Sequence, residues 1–341
     1  MNVYVIAEIG STHDGSFGNA KCLIEAAAEC GVNAVKFQTH IAAAETIRNA
    51  PMPAFFKGEP RYSYFERTGF LEAQWHELKE HAIHHGVDFL SSPFSIEAVD
   101  LLERVGVHQY KIPSGEVTNL PMLRHIAATG KPIILSSGMS NWTELDAAVE
   151  VIRSYHNNFT ILQCTSAYPC AYEKVGLNVI AELRERYNCP VGLSDHTDTI
   201  YASVAAATLG ATMIEKHFTL SRRAYGSDAK HSLEPHEMTQ MVAGIRAVEK
   251  MLSTRVDKND LQDVLTMKHV FEKSLVSVVD IPLGSMITRD MIAVKKPGGG
   301  IAPTDLEFVI GQVTTRFIAA DQTIQYTDIE RFTSVGKVVN E

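Results

Sequence analysis

The chain has 341 residues, of which 45% are hydrophobic and 21% are charged, and its formal net charge at pH 7 is -9. This length exceeds one typical domain, and the composition is that of a soluble globular protein. The acidic balance argues against nucleic acid or an anionic membrane as the main partner, because both require a basic surface. No apolar run approaches the roughly 20 residues that a membrane-spanning helix needs, and no basic leader precedes the first strand-like run. We therefore expect a cytoplasmic protein.

Residues 1–252 alternate short β-rich apolar runs with amphipathic helical patterns. Eight such β–α units at this length predict a TIM (β/α)8 barrel. A doubly wound open sheet is the alternative, but it usually has fewer strands and an early G-x-G-x-x-G motif, which this chain lacks. The predicted strands are 3–9, 34–38, 88–91, 109–112, 132–136, 160–164, 190–193 and 212–215, and the predicted helices are 20–30, 72–84, 96–104, 121–129, 143–155, 178–187, 201–209 and 237–252.

The pattern changes after the predicted barrel. Residues 253–270 are polar and compatible with a helix, and they lack the alternation of apolar and polar residues that is typical of a strand. We therefore interpret them as a linker. Residues 271–335 consist of short strand-like runs and turns, which predicts a small, separate β-rich domain. A module of this size is near the lower limit for independent stability, and we expect it to pack on a barrel, its own or a partner's.

Polar or reactive side chains follow nearly every predicted strand of the barrel. Active sites of TIM barrels gather at the C-terminal ends of the strands, so this distribution predicts an enzyme. Some of these residues, such as Ser92, suit ordinary turns or helix caps equally well. The strand-end residues are Glu8, Lys36, Gln38, Ser92, Lys111, Ser114, Glu116, Ser136, Tyr168, Ser194, His196, Glu215 and His217.

Two histidines, His196 and His217, follow the last two predicted strands. The alanine-rich helical stretch between those strands would make them neighbours in a parallel sheet. Two imidazoles at adjacent strand ends suit one divalent metal ion. The alternative is that each histidine satisfies a local hydrogen bond. The repetition of the same arrangement in two successive units favours the metal site.

Two lysines, Lys36 and Lys111, end the second and fourth predicted strands and would point into the barrel mouth. Ser114, Ser136 and Ser194 also lie at or just after the ends of predicted strands, so we expect them near the lysines. Lysines with hydroxyls and strand-end amides are what a small anion such as phosphate requires. The alternatives are a Schiff-base lysine, as in barrel aldolases, and two solvated lysines at the rim. The accompanying hydroxyls favour the anion pocket.

Three carboxylates, Glu8, Glu116 and Asp228, are candidates for acid–base chemistry or for orienting water. Glu8 follows an apolar run, so we expect burial and a raised pKa, and a salt bridge to a lysine is its structural alternative. Asp228 belongs to a polar, glycine-containing segment that predicts a mobile loop over the mouth. Cys164 also ends a strand, and a catalytic thiol is an alternative for which no base is visible.

Seven short motifs occur in order over nearly the whole chain: Ala7-Glu8-Ile9-Gly10 with His13-Asp14-Gly15, Val35-Lys36-Phe37-Gln38-Thr39-His40, Tyr110-Lys111-Ile112-Pro113-Ser114-Gly115-Glu116, Leu135-Ser136-Ser137-Gly138-Met139, Cys164-Thr165-Ser166-Ala167-Tyr168-Pro169, Gly192-Leu193-Ser194-Asp195-His196, and Glu215-Lys216-His217-Phe218-Thr219. Together they resemble the sialic acid synthase family, which condenses phosphoenolpyruvate with an N-acetylated hexose. Several motifs in order are far more specific than one alone. The resemblance implies a TIM barrel followed by an antifreeze-like (SAF) domain, which in the family caps the partner's barrel in a domain-swapped homodimer.

The resemblance also implies a role for each matching residue. His196 and His217 match the two protein ligands of a divalent metal, Mn²⁺ or Mg²⁺, and Glu8 falls on an acidic active-site position. The phosphoenolpyruvate-binding positions are Lys36, Lys111, Ser114, Ser136 and Ser194. The acceptor-sugar positions are Gln38, Glu116, Tyr168 and Asp228. The predicted catalytic residues are Glu8, Lys36, Lys111 and Glu116. The Schiff-base alternative loses support, because the family uses no covalent lysine.

Two positions depart from the family pattern, and both concern the acceptor. Lys296 stands before Pro-Gly, where bacterial members commonly have an arginine that reaches the N-acetyl group. A lysine offers positive charge there but lacks the planar guanidinium group with its paired N–H donors. Ser166 replaces an asparagine of the usual sugar-binding set. We expect N-acetylmannosamine as the acceptor and N-acetylneuraminate as the product, with legionaminate or pseudaminate synthase as alternatives. A barrel aldolase or related ulosonate synthase, and a non-catalytic polysaccharide-linked binding protein, are more distant alternatives.

Overall fold

The computed structural model describes residues 2–51 and 58–330, and the chain divides into two compact units between Thr254 and Arg255. The last five residues of the predicted C-terminal domain, 331–335, lie outside the described residues. Within the described ranges, none of the helices combines the length and apolarity needed to cross a membrane.

Eight strands, each followed by at least one helix, make up the first unit. The strands are β1 (Tyr4–Gly10), β2 (Ala34–Thr39), β3 (Asp88–Pro93), β4 (Tyr110–Ile112), β5 (Ile133–Ser136), β6 (Phe159–Cys164), β7 (Val191–Asp195) and β8 (Met213–His217). The helices are α1 (Phe17–Glu29), α2 (Ala42–Glu45), α3 (Arg61–Thr68), α4 (Glu72–His84), α5 (Ile96–Val105), α6 (Leu120–Ala127), α7 (Trp142–Arg153), α8 (Val179–Tyr187), α9 (Tyr201–Thr208) and α10 (Pro235–Ser253). The strands are parallel in the order β3-β2-β1-β8-β7-β6-β5-β4, and β3 packs beside β4. The predicted TIM barrel is confirmed, and α2 and α3 are additional helices between β2 and β3.

The alternation of side chains along the strands separates two apolar layers. Val5 and Ala7 of β1 pack outward with the helices, whereas Ile6 belongs to the interior. The next positions on the interior face are polar, namely Glu8 on β1 and, two residues after Ala34, Lys36 on β2. An apolar plug therefore fills the end of the barrel formed by the N-terminal parts of the strands. The polar layer lies next to it, toward the C-terminal ends of the strands. The plug consists of Ile6, Ala34, Leu90, Ile134 and Leu162, with Tyr4 and Met213 packed against it.

A buried ion pair joins β7 and β8 on the outer side of the barrel wall. Asp195 Oδ2 lies 3.1 Å from Lys216 Nζ, and it also accepts a hydrogen bond of 2.7 Å from Ser203 Oγ of α9. Both charged residues alternate with the inward-facing positions of their strands. This pair therefore has a structural role, and it fixes the strand ends that carry His196 and His217.

The second unit is a small β-rich domain. It contains α11 (Leu265–Phe271), the antiparallel strands β9 (Ser274–Ser277) and β10 (Ile292–Lys295), and the short helix α12 (Leu306–Val309). The segment that we interpreted as a linker, 253–270, includes most of α11. Arg316 forms a two-contact ion pair with the buried Asp328, at 2.5 Å and 2.9 Å. The core consists of Leu275, Ile281, Ile287, Ile301, Val309, Ile318, Ile324 and Ile329.

We predict that Gly192→Ala destabilises the barrel. Gly192 occupies the interior face of β7, where an added Cβ would lie 2.6 Å from Leu162 Cδ2 and would also overlap the backbone carbonyl of Met213. We expect the free energy of unfolding to fall by about 1–3 kcal/mol, measured by urea denaturation. Gly18→Ala in α1 is the control, because its added Cβ meets nothing within 4 Å and should leave stability unchanged or slightly higher. Equal stability of both variants would contradict the tight packing at Gly192.

Candidate active site

A cavity of about 590 Å³ opens at the C-terminal ends of the barrel strands. The cavity brings together residues that are far apart in the sequence, and every site residue predicted for the barrel lines it. These residues are Glu8, Lys36, Gln38, Lys111, Ser114, Glu116, Ser136, Tyr168, Ser194, His196, His217 and Asp228. Lys296 belongs to the second unit, where its ammonium lies 4.8 Å from the centre of the Phe271 ring.

Four buried charges form one ion network in this cavity. Glu215 Oε1 lies 3.0 Å from Lys111 Nζ, and Glu215 Oε2 lies 3.7 Å from Lys36 Nζ. Lys36 Nζ also lies 2.7 Å from Glu8 Oε2. Because each of the four residues is at most 5% exposed, the alternative of solvated rim lysines is wrong. Glu215, to which the sequence analysis assigned no role, is the residue that joins the two lysines.

The contacts within the network shift the pKa values of its carboxyl groups in opposite directions. Burial raises the pKa of Glu8 to about 7, although Lys36 opposes the shift. Burial acts in the same direction on Glu215, but Lys111 and Lys36 outweigh it and lower the pKa of Glu215 to about 2. Glu215 is therefore the permanent counter-ion of the lysines. Glu8 is the group that can gain or lose a proton near neutral pH.

Hydroxyl groups surround the two lysines. Ser92 Oγ accepts a hydrogen bond of 3.1 Å from Lys36 Nζ, and Ser194 Oγ donates one of 3.0 Å to Glu215 Oε1. Ser114 Oγ accepts one of 3.0 Å from the backbone N–H of Gly138. Ser136 Oγ is buried and has no hydrogen-bond partner within the described residues. A buried hydroxyl without a partner, in a cavity with two lysines, has the chemistry of an anion site.

The two predicted metal ligands lie side by side in the cavity. The ring centroids of His196 and His217 are 5.4 Å apart. His196 Nδ1 lies 2.9 Å from Thr165 O, and this contact orients the ring. The other ring nitrogen, Nε2, lies 3.2 Å from Tyr168 Oη and faces the cavity. Cys164 Sγ is 3.8 Å from His196 Nδ1, so the thiol has an imidazole neighbour that the sequence did not reveal.

The protonation state of His217 is the one that a metal ligand requires. Burial lowers the pKa of His217 to about 4, so its imidazole is neutral at pH 7, as metal binding requires. Its Nδ1 is buried without a hydrogen-bond partner in the described part of the chain. Among the described residues, one group of three ligand-type side chains has its ligand atoms within 4.8 Å of one another, and it consists of Glu25, His81 and His85 on the outer helices. The histidine pair in the cavity is thus a two-ligand set.

A chain of hydrogen bonds leads from Glu8 toward the side of the cavity. Gln38 Nε2 donates to Glu8 Oε1 at 2.7 Å, and Gln38 Oε1 lies 3.1 Å from His40 Nε2. The other ring nitrogen of His40 is 2.8 Å from Glu45 Oε1, and two phenylalanine rings stack on the imidazole. His40 therefore orients the Gln38 amide. In the sequence, His40 is distinguished only as the last residue of the Val35–His40 motif.

Two further carboxylates complete the lining. Asp228 Oδ2 accepts hydrogen bonds from the Ser11 backbone N–H at 3.1 Å and from Ser11 Oγ at 3.0 Å, so it is tied to the turn after β1. Burial would raise the pKa of Asp228, but His217 and Ser11 outweigh it and lower the pKa. Burial raises the pKa of Glu116, which accepts a hydrogen bond of 2.9 Å from Asn119.

Comparisons with known proteins agree with this architecture. The NeuB family profile matches residues 23–257, and the SAF domain profile matches residues 272–330. The chain belongs to the NeuB family. The predicted resemblance to sialic acid synthases is thereby confirmed, as is the SAF assignment of the second unit.

Curated relatives of this NeuB-family chain are named as synthases of three different acids. The chain is 36% identical to an N,N'-diacetyllegionaminic acid synthase of Campylobacter jejuni, over 94% of this chain and 98% of that one. It is 35% identical to the human N-acetylneuraminate-9-phosphate synthase, over 94% and 91%. It is 33% identical to a pseudaminic acid synthase of Helicobacter pylori, over 96% and 98%. These identities are too close to one another to select a substrate.

A solved N-acetylneuraminic acid synthetase from Leptospira borgpetersenii has the same fold. It superimposes with a TM-score of 0.70 at 28% identity, over 77% of this chain and 90% of that one. A spore coat polysaccharide biosynthesis protein from Bacillus subtilis superimposes with a TM-score of 0.66 at 30% identity, over 97% and 96%.

We predict that Glu215→Gln destabilises the barrel in a pH-dependent way. Because the folded-state pKa of Glu215 lies below its usual value, its stabilisation is present above about pH 4.5 and is lost as the pH falls toward 2. At pH 7 we expect a loss of about 3–5 kcal/mol in the free energy of unfolding, since the buried lysines lose their shared partner. This difference should shrink below pH 4.5 in urea denaturation.

The matched control for this prediction is Glu72→Gln. Glu72 pairs with Arg104 at 3.0 Å on the surface of the same unit, where an ion pair contributes at most about 1 kcal/mol. A difference between wild type and Glu215→Gln that stays constant down to pH 3 would mean that the pKa of Glu215 is the same in the folded and unfolded states, and would contradict the lowered pKa.

Proposed function

We propose that the protein condenses phosphoenolpyruvate with an N-acylated six-carbon sugar aldehyde and water, yielding a nine-carbon 2-keto acid and phosphate. The observation that carries the proposal is the buried Lys36–Glu215–Lys111 cluster with the unpartnered Ser136 hydroxyl, in one cavity with the histidine pair. The names of three relatives, which are synthases of N,N'-diacetyllegionaminic acid, N-acetylneuraminate-9-phosphate and pseudaminic acid, support it.

The anionic substrate belongs at the lysine cluster. Two lysines and one permanently ionised Glu215 leave about one net positive charge there whenever Glu8 is protonated. Ser136 Oγ is free to donate a hydrogen bond to a phosphate oxygen, and Ser114 and Ser194 add hydroxyls. At these buried lysines, such charge-assisted contacts would hold phosphoenolpyruvate with its phosphate and carboxylate oriented.

His196 and His217 would hold a divalent ion, for which Mn²⁺ and Mg²⁺ are the candidates. The ring orientation of His196 fits that role, and so does the neutral imidazole of His217, whose Nδ1 has no hydrogen-bond partner among the described residues. Such an ion supplies Lewis acidity that polarises the aldehyde oxygen of the acceptor. The two histidines leave coordination positions for substrate and water.

The bond changes follow from the two substrates. C3 of phosphoenolpyruvate attacks the aldehyde carbon, whose oxygen becomes an alkoxide, and water adds to the resulting cation at C2 and gives one proton to that alkoxide. The C2 hydroxyl then forms the keto group and gives its proton to the departing phosphate, whose C–O bond breaks. Glu8, whose pKa is about 7 and whose Oε1 accepts a hydrogen bond from Gln38, is placed to orient that water. Gln38, Glu116, Tyr168 and Asp228 are the proposed contacts of the acceptor sugar.

N-acetylmannosamine is our first candidate for the acceptor. A 2,4-diacetamido-trideoxyhexose is the second candidate, because the Campylobacter legionaminic acid synthase is 36% identical. Ser166, which departs from the usual asparagine, lines the cavity and is positioned to affect this choice.

We predict acceptor-dependent phosphate release from phosphoenolpyruvate. The assay compares N-acetylmannosamine, its 6-phosphate and 2,4-diacetamido-trideoxyhexoses, with and without Mn²⁺ after chelation. One acceptor should give turnover that chelation abolishes and Mn²⁺ restores, and His217→Ala should lose metal-dependent activity while it remains folded by circular dichroism. Full activity of the chelated enzyme would exclude the metal role, and no release with any acceptor would refute the proposed reaction.

We predict that Lys111→Ala lowers kcat/KM for phosphoenolpyruvate by about 10–150-fold, since it removes a charge-assisted contact of about 1.5–3 kcal/mol. The control is Lys131→Ala, whose ammonium pairs with Glu103 outside the cavity and should leave the kinetics unchanged. Borohydride with substrate should trap no covalent adduct. An unchanged kcat/KM in Lys111→Ala would remove this lysine from the site, and a trapped lysine would revive the Schiff-base alternative.

The SAF domain is proposed to complete the acceptor site of a partner subunit, with Lys296 as its contact. Lys296 is exposed and followed by the glycine-containing turn Pro297–Gly300, which lets a backbone approach a ligand closely. Such an arrangement makes the protein a homodimer with exchanged C-terminal domains. Lys296→Arg should then change acceptor preference more than the KM for phosphoenolpyruvate.

Subunit mixing tests the exchange. Lys296→Ala and Lys111→Ala proteins, each impaired, should regain activity when mixed, because a mixed dimer contains one site with both lysines. Lys36→Ala mixed with Lys111→Ala is the control and should regain none, since each barrel remains defective. If subunits exchange and neither mixture regains activity, the SAF domain serves its own barrel or has no catalytic part.

A further inference from the structure

Three side chains of the metal-ligating type meet on the outer layer of the barrel. Glu25 lies on α1, His81 lies on α4, and His85 follows the last residue of α4. One ligand atom of each residue lies within 4.8 Å of the other two. His81 Nε2 is 2.9 Å from Glu25 Oε1, and the ring centroids of His81 and His85 are 4.6 Å apart. None of the three lines the cavity.

The backbone holds the two imidazoles on one face. The His85 N–H donates to His81 O at 3.1 Å, so the helical i, i+4 spacing extends to His85. Gly86, with a φ of +75°, then turns the chain away. One turn earlier on both helices, Lys21 and Glu77 pair at 3.3 Å. The site is thus presented by two helices that are already in contact.

An ordinary ion pair accounts for Glu25 and His81 but leaves His85 without a role. The His85 ring lies next to His81 and His84, and it has no hydrogen-bond partner among the residues that the structure describes. Glu25 and His81 are half-buried and His85 is exposed. Two imidazoles and one carboxylate are the donor set that zinc prefers, with nickel and copper as close competitors. Magnesium prefers oxygen ligands.

We propose that Glu25, His81 and His85 bind one zinc-class divalent ion that joins α1 to α4. The site is separate from the histidine pair in the cavity, and it does not depend on the proposed reaction. Because the ion binds the folded arrangement of the two helices, it stabilises the barrel by mass action.

Zinc itself is the probe, and the parent protein is the tag-free full chain carrying His196→Ala and His217→Ala, so that the cavity pair is absent. Equilibrium dialysis should give one Zn²⁺ per chain. At a hundredfold excess over Kd, zinc should raise Tm by about 5 °C or more. In the same background His85→Ala should lose both effects, and Glu25→Gln should weaken binding at least tenfold.

His84→Ala is the matched control, because His84 is the adjacent exposed histidine and lies outside the three-residue group. It should keep the stoichiometry and the Tm shift. Absence of zinc binding in the parent protein would overturn the proposal. Equal retention, or equal loss, of zinc in the His84→Ala and His85→Ala proteins would also overturn it, because the ion would then not depend on this set of ligands.

Discussion

The buried contact of Glu215 with Lys36 and Lys111 is the interaction on which the barrel interior depends. A charge removed from water is costly unless it is paired, and here one carboxylate serves two ammonium groups at 3.0 Å and 3.7 Å. The three residues come from β8, β2 and β4, so the barrel must close before the network forms. With Glu8 protonated, the two lysines and Glu215 leave one net positive charge in the cavity, which fits the anion site proposed above.

Side chains alternate between the two faces of each strand, so the residues that stabilise the barrel differ from those that line the cavity. Below the network, Ile6 and Leu162 belong to an apolar plug, and on the outer face Asp195 and Lys216 form a buried pair that fixes β7 against β8. The inward-facing residues above the plug are therefore held on rigid strands. This support is what a site needs if its groups are to keep their positions when a ligand binds.

The two ends of the cavity differ in what a substitution would cost. Around Lys36 and Lys111, removing Glu215 or a lysine leaves a buried charge without one of its partners, so a substitution there also affects folding. Elsewhere in the lining, Ser166, Tyr168 and the Gln38–His40 pair are neutral or locally paired groups, whereas Glu116 and Asp228 are carboxylates. Substitutions of Ser166 or Tyr168 alter shape and hydrogen bonding without removing a partner of a buried carboxylate. Relatives that make three different acids at 33–36% identity are consistent with this division.

The sequence by itself determined the barrel, the small C-terminal domain and the strand-end residues of the site, because strand and helix periodicity and motif order are local properties. It did not reveal that Glu215 joins the lysines, although residues 213, 215 and 217 share one face of a strand, because the partners of a buried charge come from other strands. Nor did it reveal that His40 orients Gln38, that an imidazole lies beside Cys164, or that Glu25 meets His81 and His85 across two helices. Only the tertiary structure decided these contacts, since each joins side chains on separate elements whose distance is set by barrel closure and helix packing.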